Sequence, residues 1–188
     1  MRLIHRDDEL APVHSAQAAC DHGQMIRTTH SRLAIIGGGP AGLMAAEAAR
    51  AAGVNVDLYD AKSSVGRKFL LAGKGGLNLT HGEATARFVE RYGSRQAEIK
   101  HWLNAFDAEA LRAWARDLGV ETFAGSSGRV FPQDLKAAPL LRAWLHRLRA
   151  SGVTFHVHHR WLGWQAHGAL HFATPQGERD RKSGGEGK

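Results

Sequence analysis

The segment "LAIIGGGPAGLMAAEAAR" constrains the fold more than any other part of this sequence. Leu33–Ile36 has the composition of a short buried strand, and the alanine-rich stretch behind the glycines predicts a helix. Between them, Gly37, Gly39 and Gly42 satisfy the G-x-G-x-x-G pattern. In that pattern the first glycine permits a tight turn, the second lets the backbone approach a pyrophosphate, and the third lets helix and strand pack closely. The sequence therefore predicts a βαβ unit that opens with a phosphate-binding turn.

The residues that follow this turn also suit a dinucleotide. Pro40 and Ala41 begin the helix, where free N–H groups and the positive end of the helix dipole attract phosphate. A second strand then ends at Tyr59 and Asp60. A carboxylate at this position accepts hydrogen bonds from ribose hydroxyls and disfavours a 2′-phosphate. The sequence thus predicts a site for an ADP half, which FAD and NAD both contain.

A second glycine-rich segment, "GRKFLLAGKGGLNLTH" at residues 66–81, separates these two cofactors. It is not a P-loop, because Gly75 stands after Lys74 where that motif has serine or threonine. The backbone of Gly73–Gly76 is expected to be flexible and able to lie flat against a planar group, and Asn78 offers both a donor and an acceptor. A flavin ring has that shape and those polar edges, so the segment favours FAD.

These motifs resemble the BaiN/YhiN-like flavoproteins, also described as NAD(P)/FAD-dependent oxidoreductases or aminoacetone oxidase family FAD-binding enzymes. The resemblance rests on "IIGGGPAGLMAA", on "GRKFLLAGKGGLNLTH", and on "GSSGRVFP" with the "LLRAWLHRL" behind it, and it extends from Arg32 to Trp164. It implies an FAD-dependent oxidoreductase, or the FAD-binding half of one, with an unassigned small-molecule substrate and NAD(P)H as a candidate reductant.

The resemblance also implies which residues bind the cofactor. The first glycine turn would hold the pyrophosphate, Asp60 the adenosine ribose, and the backbone of Trp161, after the third parallel strand, the adenine. Gly66–Lys68 would lie between ribose and phosphates, and Gly75–Asn78 beside the isoalloxazine ring. The complete set is Gly37, Gly39, Pro40, Ala41, Gly42, Asp60, Gly66, Arg67, Lys68, Gly75, Gly76, Leu77, Asn78 and Trp161.

Arg129, in "GSSGRVFP", is the one candidate for a catalytic role. A fixed cation beside the flavin can bind a substrate carboxylate or stabilise negative charge on the reduced ring. The alternative is a loop arginine that forms a structural ion pair. No side chain stands out as a general acid or base, which suits chemistry carried by the cofactor.

The histidines predict no metal site. Strand alternation over "VTFHVHHRWLGWQ" places His156 and His158 on one face and His159 on the other, and no carboxylate or cysteine nearby completes a zinc set. His81 follows the second glycine segment and could touch flavin or substrate, although a histidine at a loop end more often bonds backbone or water.

Composition excludes several classes of protein. No segment reaches the roughly 18 apolar residues of a membrane span, and one cysteine among 188 residues permits no internal disulfide. We therefore expect a cytoplasmic protein without a membrane partner. The net charge of +7 is scattered along helices rather than clustered, which argues against nucleic-acid binding. Two alternatives stay open: a non-catalytic NAD-binding module, and a basic protein whose glycine loops meet nucleic acid.

The predicted fold is α/β, a doubly wound Rossmann-like domain with a helical insertion between the second and third parallel strands and a β-meander after them. We expect a disordered leader over 1–30, an FAD-binding domain over 31–177, and a disordered tail over 178–188. We expect one helix over Asp107–Leu118, with Asp107 as its N-cap, and another over Ala137–Ala150. Trp114 and Trp144 lie on the apolar faces of these helices and are expected in the core. A loop is expected at 124–134. A complete flavoprotein of the family that this chain resembles has a fourth parallel strand and a late glycine-rich segment. The resemblance therefore implies that the domain is incomplete here, as in a truncated chain.

Overall fold

A computed structural model describes residues 2–4, 31–165 and 168–181 of the chain. The chain folds into two compact units. The first consists of residues 1–65 and 152–188, and the second of residues 66–151. The second unit is inserted between the second and third parallel strands, as the sequence predicts.

The first unit contains a four-stranded sheet in the order β1-β2-β3-β7. Strands β2 (Arg32–Ile36), β3 (Asn55–Tyr59) and β7 (Thr154–His156) are parallel, and β1 (Arg2–Ile4) pairs antiparallel with β2. Helix α1 (Pro40–Ala51) connects β2 to β3. This succession of strand, helix and parallel strand is the βαβ unit that the glycine motif predicts.

A three-stranded antiparallel meander completes this unit. Its strands are β8 (Arg160–Trp164), β9 (Leu170–Thr174) and β10 (Gly177–Arg181), in the order β10-β9-β8. The ring of Phe172 stacks on Tyr59 of β3 with the centroids 4.4 Å apart, and both residues are buried. Burial of these aromatic faces joins the meander to the parallel sheet.

Three expectations about the ends and the strands of this unit were wrong. Arg2–Ile4 of the expected leader and residues 178–181 of the expected tail form strands, because each finds a backbone ladder beside it. The other residues of both segments lie outside the described part of the chain. The alternating stretch after Gly152 is two strands in different sheets, separated by a turn in which His158 has φ +57°.

The second unit is mainly helical. Asp107 caps its α5 as predicted, because its Oδ1 accepts a hydrogen bond from the N–H of Ala110 at 2.8 Å. The last helix occupies the range that the sequence predicts. The helices are α2 (Arg67–Ala72), α3 (Thr85–Glu90), α4 (Gln96–Ala105), α5 (Ala108–Asp117) and α6 (Ala137–Ala150).

This unit also contains a small sheet where the sequence predicts a loop. Strand β6 (Arg129–Pro132) lies between β4 (Thr80–His81) and β5 (Thr122–Ala124), and both pairings are antiparallel. Gly128 adopts φ +77°, a conformation that glycine accepts without strain, and so closes a tight turn between β5 and β6. The expectation of a loop over 124–134 was therefore wrong for Ala124, which ends β5, and for Arg129–Pro132, which form β6.

Trp144 anchors the core of the second unit. Its side chain is buried, and its ring meets that of Trp114 edge to face with the centroids 4.8 Å apart. The assignment of these two tryptophans to the core is confirmed.

Within residues 31–165 and 168–181, no helix combines the length and apolarity that a bilayer crossing requires.

Candidate functional site

The glycine motif forms a tight turn between β2 and α1. Gly37 has φ +105°, and its N–H donates to the carbonyl of Tyr59 at 2.8 Å. Gly39 is the N-cap of α1, and its carbonyl accepts the first helical hydrogen bond, from the N–H of Leu43 at 2.9 Å. Pro40 follows at the first helical position, where a missing N–H has no cost. The helix therefore begins at the turn, with its positive dipole end directed there.

Glycine is required at position 42 of the motif by the protein itself, whereas at position 39 the fold leaves room for a side chain. A Cβ on Gly42 would lie 1.9 Å from the carbonyl oxygen of Gly37, so the turn itself requires glycine there. A Cβ on Gly39 would meet no described atom within 4 Å. The fold thus leaves open space at Gly39, where a ligand could approach the backbone.

A further required glycine, Gly38, was missed by the sequence analysis because the motif leaves its position unspecified. A Cβ there would lie 2.3 Å from Cγ1 and 2.7 Å from Cβ of Val65. The run "GGG", in which Gly38 is the middle residue, was the available signal.

Asp60 is held firmly at the end of β3. Its Oδ2 accepts a hydrogen bond from the N–H of Gly38, and its Oδ1 accepts one from the N–H of Lys62, both at 2.8 Å. Its own N–H donates to the carbonyl of His156 at 2.9 Å, and its carbonyl accepts from the N–H of His159 at 2.8 Å. Each carboxylate oxygen retains acceptor capacity for a ribose hydroxyl.

A second carboxylate on β3, Asp57, was also missed. It is buried, and its Oδ2 lies 2.5 Å from Nε of Arg32 while its Oδ1 lies 2.6 Å from Nε2 of His156. Burial raises the pKa of Asp57, but the hydrogen bonds from Arg32 and His156 outweigh it, so the pKa lies below its ordinary value. This carboxylate therefore ties β2, β3 and β7 together.

Trp161 lies in β8 of the meander, opposite Phe172. Its side chain packs against the core cluster of Tyr59, Leu170 and Phe172. The packing gives its indole ring a structural role, which is compatible with the predicted use of its backbone alone.

The second glycine-rich segment is more regular than expected. Its flexible backbone was predicted over Gly73–Gly76, but α2 and a 3₁₀ turn over Gly73–Gly75 occupy the region. A Cβ on Gly66 or on Gly73 would lie 2.6 Å from Leu141 or Ala137 respectively, so both glycines serve the packing of α2 against α6. Gly75 differs, because a Cβ there would meet no described atom within 4 Å and its φ is not positive. Arg67 and Lys68 are exposed on α2.

The residues after this turn join the second unit's own structure. Leu77 is buried in a core cluster with Leu140, and Gly76 has φ +109°. When the side-chain amide of Asn78 is assigned from its hydrogen-bonding partners, its nitrogen donates to the carbonyl of Thr80 at 2.8 Å and to that of Val130 at 3.3 Å. Its amide donors are thus engaged by backbone, and its carbonyl oxygen faces away from these partners.

Residues 31–183 match the family described as HI0933-like protein Rossmann domain. The chain belongs to this family. A search of curated proteins found no match. The Rossmann-type α/β fold predicted from the sequence is confirmed.

Two solved structures illustrate the fold shared with other members of this architecture. One is 3-ketosteroid-Δ4-(5α)-dehydrogenase from Rhodococcus jostii RHA1, with a TM-score of 0.57 and 16% identity over 83% of this chain and 45% of that chain. The other is a flavocytochrome c3 fumarate reductase, with a TM-score of 0.55 and 18% identity over 82% of this chain and 32% of that one. At these identities the likeness establishes the fold alone, and this chain spans less than half the length of either protein.

The sheet of the second unit brings two motifs of this family member together. His81 of β4 pairs with Arg129 of β6. The His81 ring bonds the backbone on both sides: Nδ1 accepts from the N–H of Glu83 at 3.2 Å, and Nε2 lies 3.1 Å from the carbonyl of Ser127. A Cβ on Gly128 would lie 2.6 Å from this ring. His81 therefore closes the turn before β6.

Arg129 is exposed on β6, and its guanidinium forms no ion pair with any residue that the structure describes. The alternative of a structural ion pair thus finds no partner in the described residues. Among those same residues, no group of three or more histidine, cysteine or acidic side chains is placed to hold a metal ion. His158 also lies in a turn, so the expected strand face shared with His156 does not form.

Proposed function

We propose that this chain binds FAD and forms the cofactor-binding part of an FAD-dependent oxidoreductase. The observation that carries the proposal is Gly39: it lacks a side chain although the fold leaves room for one. Its neighbours Gly38 and Gly42 are glycine because protein atoms occupy the space beside them. A bound pyrophosphate would explain glycine at position 39, because phosphate oxygens must reach the N–H groups of the turn and a side chain there would block them.

The electrostatics of the turn support binding of the ADP half. The twelve-residue α1 directs its positive end to the turn, and no acidic residue lies in its first turn to compete with phosphate. Asp60 stands at the edge of the turn with acceptor capacity left for ribose hydroxyls. Its negative charge would repel a 2′-phosphate, so FAD or NAD is favoured over NADP at this site.

The choice of FAD over NAD rests on the resemblance to the BaiN/YhiN-like flavoproteins. Membership in the HI0933-like Rossmann family is compatible with that narrower assignment. Gly75 supports it from the second unit, because neither packing nor backbone conformation requires glycine there. One protein of similar fold is a flavocytochrome by name. Within this proposal, Gly75–Asn78 contact the flavin, NAD(P)H is the reductant, a small molecule is the substrate, and the cytoplasm is the compartment.

Arg129 is proposed as the residue that binds an anionic group of the substrate or of the reduced cofactor. Its exposure and its lack of an ion-pair partner among the described residues leave the guanidinium available for bidentate binding of a carboxylate. Hydrogen-bonded strands on both sides of β6 hold its backbone in place.

The direct test is the cofactor content of the purified chain. We expect a visible flavin absorbance band, released on denaturation and identified as FAD by chromatography. Tight binding of NAD with no uptake of FAD would contradict the proposal and support the NAD-binding module. Retention on DNA that falls steeply with salt, again without flavin, would instead support the basic nucleic-acid-binding alternative.

A further inference from the structure

We propose that the segment Asp60–Val65 is a clamp that sets the shape of the phosphate-binding turn, with Asp60 and Val65 as its positioning residues. The inference rests on the proposed function, since it concerns the same turn. It assigns a role in cofactor binding to Val65, which is no part of the glycine motif. It also gives Asp60 a second task besides ribose binding.

Val65 presses on the turn from one side. It is buried, with 6% of its surface exposed, and its Cγ1 and Cβ occupy the position where a Cβ of Gly38 would stand. A valine cannot rotate away easily, because branching at Cβ restricts its χ1. The contact therefore holds the Cα of Gly38 at a fixed place.

Asp60 holds the same residue through its backbone. Its Oδ2 accepts from the N–H of Gly38 at 2.8 Å, while its Oδ1 is fixed by the N–H of Lys62 at 2.8 Å. The segment thus orients its own carboxylate, and that carboxylate orients the peptide between Gly37 and Gly38. One contact is steric and the other is a charge-assisted hydrogen bond, and both act on Gly38.

The consequence is a turn that has its binding shape before a ligand arrives. A preorganised loop avoids the entropic cost of ordering during binding. This also explains why a glycine occupies a position that the dinucleotide motif leaves unspecified. A side chain at Gly38 would force the turn and Val65 apart, and the N–H groups around Gly39 would lose their alignment on phosphate.

The test compares ADP, which contains the pyrophosphate, with adenosine, which does not. Affinities of both are measured by calorimetry for the wild-type chain and for Gly38→Ala, Val65→Ala and the double variant. We expect Gly38→Ala to weaken ADP by about tenfold or more with little change for adenosine, a size typical of coupled neighbours. The double variant should recover only part of the ADP affinity, because Val65→Ala removes the contact of the new methyl to Cγ1 at 2.3 Å but leaves the contact to Cβ at 2.7 Å. Val65→Ala alone should weaken ADP more than adenosine, and it tests the clamp even if Gly38→Ala does not fold.

Val56→Ala is the matched control, because Val56 is another buried valine of the same unit, 3% exposed, on β3. It should lower stability without changing the ratio of ADP to adenosine affinity. The nearly isosteric Asp60→Asn has one acceptor oxygen instead of two and cannot accept from the N–H groups of both Gly38 and Lys62, so it should weaken ADP more than adenosine, which contacts Asp60 only through the ribose. Equal losses for the two ligands in every variant, or an equal ratio change in Val56→Ala, would overturn the clamp while leaving ADP binding intact. Failure of the wild type to bind either ADP or FAD would overturn the proposed function, and the clamp with it.

Discussion

Replacement of the buried carboxylate in Asp57→Asn should destabilise the first unit by about 2 kcal/mol at neutral pH. Hydrogen bonds to charged groups contribute roughly 1.5–3 kcal/mol each, and the substitution weakens two of them. The contact to Arg32 counts for little, because 55% of that side chain is exposed and surface ion pairs are worth about 0–1 kcal/mol. The contact to His156, whose side chain is 14% exposed, supplies most of the effect. Asparagine keeps the volume and one acceptor, so no cavity adds to the loss.

The sign of the pH dependence follows from the lowered pKa of Asp57. A carboxyl whose pKa is lower in the folded state contributes stability that is present above its unfolded pKa, about 3.9, and lost as the pH falls through the folded value. The difference between wild type and Asp57→Asn should therefore shrink below about pH 4. Urea unfolding followed by tryptophan fluorescence from pH 7 to pH 3 measures it, with exposed Asp117→Asn as the control. A difference that is absent at pH 7, or unchanged at pH 3, would refute the reasoning.

Three other changes test further parts of the structure. Gly75→Ala should fold normally and bind ADP like the wild type but lose FAD affinity in equilibrium titrations; unchanged FAD binding would remove Gly75 from the site. Gly42→Ala should prevent folding or lower the thermal midpoint by several degrees, because a Cβ 1.9 Å from the Gly37 carbonyl cannot be accommodated. The pKa of His171 is raised by its hydrogen bond to Asp180 and by Glu178, against a smaller desolvation effect, so protection of β9 and β10 amides from hydrogen exchange should fall as the pH rises above about 6.5. A pH-independent protection pattern would contradict that role.

The parts of the fold that short-range chemistry dictates could be predicted. The glycine turn, α1 and the end of β3 follow from one motif whose glycines have separate steric reasons. The start of α5 could be predicted from Asp107, because an N-cap side chain accepts a hydrogen bond from an N–H only three residues along the chain. The apolar periodicity of α6 defines its bounds, and the same periodicity correctly assigns Trp144 to the core.

The features that were missed depend on partners distant in sequence. The requirement for glycine at Gly38 arises from Val65, which only the folded chain brings beside it. Asp57 reads as an ordinary polar residue in an alternating strand, and its importance comes from His156, far along the chain. The sequence predicts a loop where β6 lies because Gly125 and Gly128 precede it and suggest flexibility, whereas the ring of His81 packs at Gly128 and holds the turn closed. Helix α2 was not predicted for a similar reason. The glycines at its two ends, Gly66 and Gly73, suggest a loop, but they are required because α6 packs against them.

The proposed pyrophosphate site depends most directly on the open space at Gly39. The decisive measurement is an FAD titration of apo wild type and Gly39→Ala, with circular dichroism and thermal unfolding measured on the same samples. We expect Gly39→Ala to keep the wild-type spectrum and unfolding midpoint but to lose FAD affinity by about a hundredfold, because one methyl group displaces the pyrophosphate from the N–H groups of the turn. Equal FAD affinity in the two proteins, or no FAD binding by the wild type, would contradict it.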